Sequence, residues 1–293
     1  PKMSENVANQ GDLFDLTSRL VTLNREVDFE FDLGACRTEK VTLKKLKPRF
    51  EELGFRRLLS RLDDPAEASE EEKEAVRESV SGDYRLVNTE KDLESFLSEL
   101  KKIDFFAIDT ETTSVHAVDC ELVGLSFSWE KGKGWYLALR SNKGDTLDPD
   151  AALEALRPFL EDPAIGKCGQ NIKYDLIVLR QAGIELQGVA FDTMIASYLL
   201  APERRSQAMD ALARDLLGLQ TIPISDLIGK GKKQVTMLEV ELEKVAEYAG
   251  EDADITWRLY ELLAPKLESE GLRKLFDELE AVSYTHLTLP TKA

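Results

Sequence analysis

The chain has 293 residues, 43% of them hydrophobic, and a formal net charge of -17. That length and apolar content allow one large domain or two smaller ones with a sizeable core. The charge excludes a protein that holds nucleic acid by bulk electrostatics alone, but not a nuclease whose bound cations offset its acids. Cys36, Cys120 and Cys168 show no close metal-ligand spacing and fit reduced thiols. No apolar run approaches the roughly 20 residues of a membrane span, and no charged-then-apolar leader opens the sequence. A cytoplasmic protein with no membrane partner is therefore expected.

Residues 1–62 hold short patterns. "LTSRLVTL" (16–23) and residues 46–62 are helix-like, and "VDFEFDL" (27–33) alternates like a strand. This is too little for a core of its own and reads as the edge of something larger. "DDPAEASEEEKEAVRE" (63–78) has eight acidic and two basic residues, the composition of a linker, which places a boundary there and a separate domain over 83–280. "YRLV" (84–87) predicts a strand. Thr89 then caps a helix with Leu93, Phe96, Leu97 and Leu100 on one face. "FFAI" (105–108) predicts a buried strand ending at Asp109. Residues 121–129 alternate, with Val123, Leu125, Phe127 and Trp129 on one face, and form a hairpin with 134–140. Asp148 and Pro149 open a helix, and 164–168 is a short strand. Helical patterns follow over 171–182, 192–200, 207–217, 238–249 and 252–269, with Thr236 and Glu239 at capping-box spacing. The sum is an α/β domain, a mixed sheet flanked by helices, behind a small, mostly helical N-terminal fragment. The Thr-rich end, 281–293, breaks the acidic helical pattern and reads as a non-native tail, His286 included.

Asp109 and Glu111 lie two apart, so on a strand they share a face. Taken alone, such a pair is most simply acidic residues at a strand end entering solvent. Three other stretches change the balance. In "GQNIKYD" (169–175), Asn171 and Asp175 lie four apart and would share a helical face, with Asn171 alone an N-cap. In "FDTM" (191–194), Asp192 reads as a structural N-cap. In "YAGEDAD" (248–254), Tyr248 and Asp252 lie four apart, while Glu251, Asp252 and Asp254 crowd like charge into one turn. Helix-start acids would explain the charge but not the tyrosine one turn earlier. Carboxylates clustered in this way are unstable alone and stable around hard divalent cations, Mg²⁺ or Mn²⁺, with Zn²⁺ possible. Two such ions about 4 Å apart can activate a water and stabilise the leaving oxygen of a phosphodiester.

"FFAIDTETTS", "GQNIKYD", "AFDTM" and "YAGEDAD", in this order and at these separations, resemble the 3′–5′ proofreading exonuclease domain of family A bacterial DNA polymerases. This is the DEDDy class of the ribonuclease H-like superfamily. The resemblance runs from about Tyr84 to Glu280 and takes in "MDALARDLLG" (209–218) and "IGKGKKQ" (228–234). Residues 1–62 more weakly resemble the end of the 5′ nuclease domain that precedes the exonuclease there, and the polymerase domain would follow residue 280. The resemblance implies removal of nucleoside 5′-monophosphates from DNA 3′ ends, single-stranded or frayed, by two divalent cations. It implies that Asp109 bridges both metals, that Glu111 and Asp252 complete the tighter site, and that Asp175 holds the second. Tyr248 would orient the attacking water. Gln170 and Asn171 would touch the terminal nucleotide, Val115 would wedge its base, and Lys230, Lys232 and Lys233 would guide the strand. His116 departs from the family, where that position is often acidic. An RNA 3′ exonuclease of the same class and a silent scaffold domain are the alternatives. The 5′-nuclease-like leader and acidic linker disfavour the first, the intact acids and Tyr248 the second.

Overall fold

In the computed structural model, residues 17–24, 46, 49, 50, 82–231 and 234–280 are described. The chain divides into two compact units, Pro1–Ala68 and Ser69–Ala293. In the first, residues 17–21 are helical; the expected strand at 27–33 and most of the helix at 46–62 lie outside the described residues, as do the whole acidic stretch 63–78 and the tail after 280.

The described part of the second unit starts with β1 (Asp83–Val87) and α1 (Glu90–Leu100), whose first turn is capped by Thr89 accepting from the backbone of Asp92. Then come β2 (Phe105–Thr112), β3 (Leu122–Ser128), β4 (Lys133–Ala138) and α2 (Pro149–Leu160), the last capped by Asp148. β5 (Gly166–Gly169), α3 (Lys173–Gln181), β6 (Val189–Asp192) and α4 (Thr193–Leu200) follow. The rest is helical: α5 (Met209–Leu212), continued by a wider turn to Leu217, α6 (Ile224–Ile228) and α7 (Leu242–Ser269).

The sheet order is β1-β4-β3-β2-β5-β6, and it is mixed. β2–β3 and β3–β4 are antiparallel; the pairs β1–β4, β2–β5 and β5–β6 are parallel. Helices cover both faces. Phe106 and Ile108 point to the face where α1, α2 and α3 bury Phe96, Leu100, Leu156, Leu160 and Leu179. Ala107 points to the other, against Ile255, Leu259 and Leu263 of α7. A sheet buried on both faces explains the unbroken apolar runs of β2 and β4.

Several expectations change. β2 does not end at Asp109 but runs through Glu111 to Thr112, so both acids are strand residues. Val123 does not share a face with Leu125 and Phe127. The partner of Glu111 is Gly124 and that of Thr112 is Leu122, so Val123 is an extra residue; this bulge turns it to the α7 side, beside Tyr136 and Ala138. β6 has four residues, too short for a periodic signal. The helices expected at 238–249 and 252–269 are one 28-residue helix. The capping box does not form: Thr236 makes no side-chain cap, and Glu239 accepts from Asn142.

α7 approaches the sheet without side chains between. A Cβ on Gly134 of β4 would lie 2.4 Å from the carbonyl oxygen of Gly250, and one on Gly250 would lie 2.9 Å from Cβ of Tyr84. Alanine is intrinsically better than glycine inside a helix, by roughly 0.8–1.0 kcal/mol. Gly250→Ala should nevertheless destabilise the protein, by about 1–3 kcal/mol, because the clash with Tyr84 forces α7 off β1. Urea denaturation of the variant checks this, and a gain in stability would refute the close-contact argument.

Candidate active site

β2 carries Asp109 and Glu111 on the face that meets α7, and α7 brings Asp252 to them. One carboxylate oxygen from each of the three can be chosen so that all lie within 4.8 Å of one another. Glu111 and Asp252 are buried, while Asp109 keeps partial exposure at the mouth. Asp175 comes from the opposite face, in the first turn of α3, and is buried. It accepts a hydrogen bond of 2.6 Å from the hydroxyl of Thr110, the residue between the two β2 acids. Tyr248, one turn before Asp252, is half-buried and lies where the Asp252 charge acts on its phenol. The four acids and the tyrosine singled out in the sequence therefore converge on the end of one strand.

Their electrostatics follow from that convergence. Burial, against a backbone hydrogen bond that favours the charged form, pushes the Asp109 carboxyl up to about 7. Burial raises Glu111 well above the usual carboxylate range, and the charges of Asp109, Asp252 and Asp175 add to it. Burial and the charge of Asp109 do the same to Asp175 and Asp252. Burial and the charge of Asp252 keep the Tyr248 phenol protonated. Among the described residues no cationic side chain offsets any of these acids. An all-oxygen donor set with uncompensated negative charge fits Mg²⁺ or Mn²⁺.

The other acids of these motifs do different work. Asp192 is buried and accepts from four backbone N–H groups, those of Met194 and Ile195 in α4 and those of Asn171 and Ile172 at 3.2 and 2.9 Å. It is the N-cap expected, and it also pins the segment entering α3. Asn171 is not an N-cap: it precedes the helix in the left-handed region at φ 60, so it does not share a helical face with Asp175. Asp254 is 0% exposed and accepts from Arg258, from the Tyr84 hydroxyl at 2.8 Å and from the Gly132 N–H at 2.8 Å. Glu251 accepts from the Ile222 N–H. The three crowded acids of α7 thus point to three separate partners.

The residues expected at the nucleic acid are less uniform. Val115 is 86% exposed and, with His116, Asn171 and Tyr174, lines a cleft of about 430 Å³. The Gln170 amide is held inside, donating to the Gln207 carbonyl and accepting from Thr193. Lys230 is exposed; Lys232 and Lys233 lie outside the described residues. Thr110 and Tyr174 escaped the sequence reading. Tyr174 shares a hydrogen bond with Thr112 and donates to the Ser114 carbonyl, tying α3 to the loop after β2. Strand alternation carries the signal for Thr110, since the residue between two acids must face the other helix layer.

Residues 84–268 match the family described as 3′–5′ exonuclease. The chain belongs to that family. The DNA polymerase I of Pseudomonas aeruginosa is 36% identical over 272 residues, which cover 90% of this chain and 30% of that protein. The DNA polymerase I of Chloroflexus aurantiacus is 38% identical over 191 residues, 64% of this chain and 20% of that one. The chain thus spans less than a third of the length of these relatives. Among solved structures, the catalytic core of RRP6 from Trypanosoma brucei superposes with a TM-score of 0.53 at 18% identity, covering 70% of this chain and 53% of that one. The Pol1 complex of M. smegmatis with DNA primer-template and dNTP gives 0.53 at 22%, covering 69% and 30%. These likenesses give the exonuclease fold, a ribonuclease H-like mixed sheet between helices. Among the described residues no helix is long and apolar enough to cross a membrane.

The raised carboxyls set a pH dependence. Unfolded aspartate titrates near 3.8 and folded Asp109 near 7, so between these values the folded state binds more protons. Stability of the exonuclease unit in EDTA should therefore fall as pH rises from about 4 to 7, at up to about 1.4 kcal/mol per pH unit for each such group. Mg²⁺ should remove most of the fall. Melting curves across pH, with EDTA and with Mg²⁺, test this; equal profiles would mean that the carboxylates hold no cation.

Proposed function

We propose that the chain is a metal-dependent 3′–5′ exonuclease that removes nucleoside 5′-monophosphates from DNA 3′ ends, with proofreading as its role in a DNA polymerase I. The observation that carries this is the convergence of Asp109, Glu111 and Asp252, with Asp175 beside them and, among the described residues, no cationic side chain with them. Asp109, Glu111 and Asp252 would hold one divalent cation, and Asp109 with Asp175 a second. Bound there, the pair would supply an activated water and neutralise charge on the leaving 3′ oxygen. Asp192 and the left-handed Asn171 shape the entry to α3, which positions Asp175. Tyr248 holds a phenol proton and orients the attacking water by donating or accepting a single hydrogen bond. Val115 and Asn171, on the cleft beside the site, would meet the terminal nucleotide, and Lys230 with Lys232 and Lys233 would guide the strand. A cytoplasmic location and a polymerase domain that delivers the frayed end belong to the same reading.

The roles differ in what their loss costs. Asp109→Ala should abolish nearly all hydrolysis and keep the fold, since a like-charge neighbour of Glu111 is removed. Tyr248→Phe should remain measurable, slower by roughly 10²–10⁴, because it loses one positioned group and no ligand. Initial rates on a single-stranded oligonucleotide give the order; a Tyr248→Phe protein as dead as Asp109→Ala would move the tyrosine into the metal set.

Substrate form follows from access. A paired 3′ end must melt before its phosphate reaches the acids, at about 1.4 kcal/mol per stacked step, so three or four pairs cost roughly 4–6 kcal/mol, or three to four decades in occupancy. The net charge of -17 offers no general attraction to offset it. Rates with Mg²⁺ should rank single-stranded above mismatched above fully paired termini. Equal rates on all three would remove the fraying account.

A further inference from the structure

Two hydroxyls buried next to the carboxylates have no protein hydrogen-bond partner among the described residues. The Ser126 Oγ and the Tyr136 Oη lie without a hydrogen-bond partner, although Tyr136 is 0% exposed. Buried polar groups are nearly always paired, and an orphan is a cost that needs a reason. The sheet register supplies the setting. Ser126 of β3 lies opposite Asp109 of β2 on one side and opposite Tyr136 of β4 on the other. Directly opposed residues point to the same face, so this is one row of three polar side chains on the α7 face. In the next row Gly124 lies opposite Glu111. A Cβ on Gly124 would sit 2.5 Å from the Tyr136 hydroxyl oxygen. The absent side chain is therefore the space into which the phenol reaches, and what lies across that glycine is Glu111. Its negative charge is the one that acts on the Tyr136 phenol.

The geometry points to Tyr136 as a positioning residue for Glu111: with a cation bound, its O–H, unpartnered without one, would donate to the Glu111 carboxylate oxygen not used as a ligand and so hold the other toward Asp109 and Asp252. Groups that hydrogen-bond a metal ligand fix its orientation, and their loss typically weakens metal affinity by about 10–100-fold. A phenol there for packing alone would be replaceable by phenylalanine without effect on the cation.

This rests on the reading of Glu111 as a metal ligand, and the test separates the two. Mn²⁺ binding is measured by calorimetry on wild type and Tyr136→Phe, with melting in EDTA as the fold control. The expected result is an unchanged or slightly raised melting temperature in EDTA, because an unpaired hydroxyl has gone, and a Mn²⁺ dissociation constant raised at least tenfold. A wild type that binds no Mn²⁺ would overturn the metal reading itself. Wild-type binding with a Tyr136→Phe constant within twofold of it would overturn only the role of Tyr136, as would a variant that melts lower in EDTA and binds Mn²⁺ normally. Should Tyr136→Phe not fold, 3-fluorotyrosine at position 136 keeps the shape and strengthens the donor. Its Mn²⁺ constant must then depart from that of wild type, and an unchanged constant overturns the proposal.

Discussion

The repulsion among Asp109, Glu111 and Asp252 is the constraint on which the rest of the domain depends. Left to themselves, three carboxylates able to approach within 4.8 Å would move apart or take up protons. They do not move apart because each sits on an element that cannot shift alone. β2 is an inner strand, paired on both sides. α7 is 28 residues long and packs across β4, β3, β2 and β1. The fold therefore holds in place a charge arrangement that a cation stabilises and that folding by itself opposes.

How α7 is held explains features that have no direct chemistry. Its backbone lies against β4 through Gly134 and Gly250, so no side-chain rearrangement can let it slide. Two residues beyond Asp252, Asp254 takes two hydrogen bonds from Arg258 and reaches out to Tyr84 of β1 and the Gly132 turn. Asp254 is fully buried, so removing Arg258 would strand its charge, at a cost of about 3–5 kcal/mol. The bulge at Val123 lies opposite the Glu111–Thr112 step and bends the hairpin where the acids need room. Close approach, buried pair and bulge all act on the relative placement of β2 and α7.

Much of this was legible in the sequence because the signals are local. Thr89, Asp148 and Asp192 cap the helices they precede, and the apolar run before Asp109 marks an inner strand. The spacing Tyr-x-x-x-Asp puts Tyr248 and Asp252 on one face, where the carboxylate acts on the phenol. What failed needed tertiary information. Periodicity cannot register a bulge, so strict alternation assigns Val123 to the wrong face. A glycine and three acids interrupted the pattern of α7, and only the packing of Gly250 on Gly134 shows why the helix continues through them. Asn171 has the composition of a cap, but the carboxylate that organises that turn comes from Asp192, 21 residues away.

The same residue type meets three fates within these motifs, and the donors around it decide which. Asp192 accepts four backbone N–H groups. Asp254 accepts a guanidinium, a phenol and an N–H. Both are fully buried, yet each is matched by enough donors to make burial of its charge structural. Asp109, Glu111, Asp175 and Asp252 are raised by burial and by one another, with few hydrogen bonds to oppose it. A carboxylate whose donors are all present serves the fold; one that lacks them has lone pairs to offer a ligand. On that criterion the motifs divide without reference to their order along the chain. It also accounts for Tyr136, a donor placed beside an under-satisfied acid yet bonded to nothing, as part of the site rather than of the core around it.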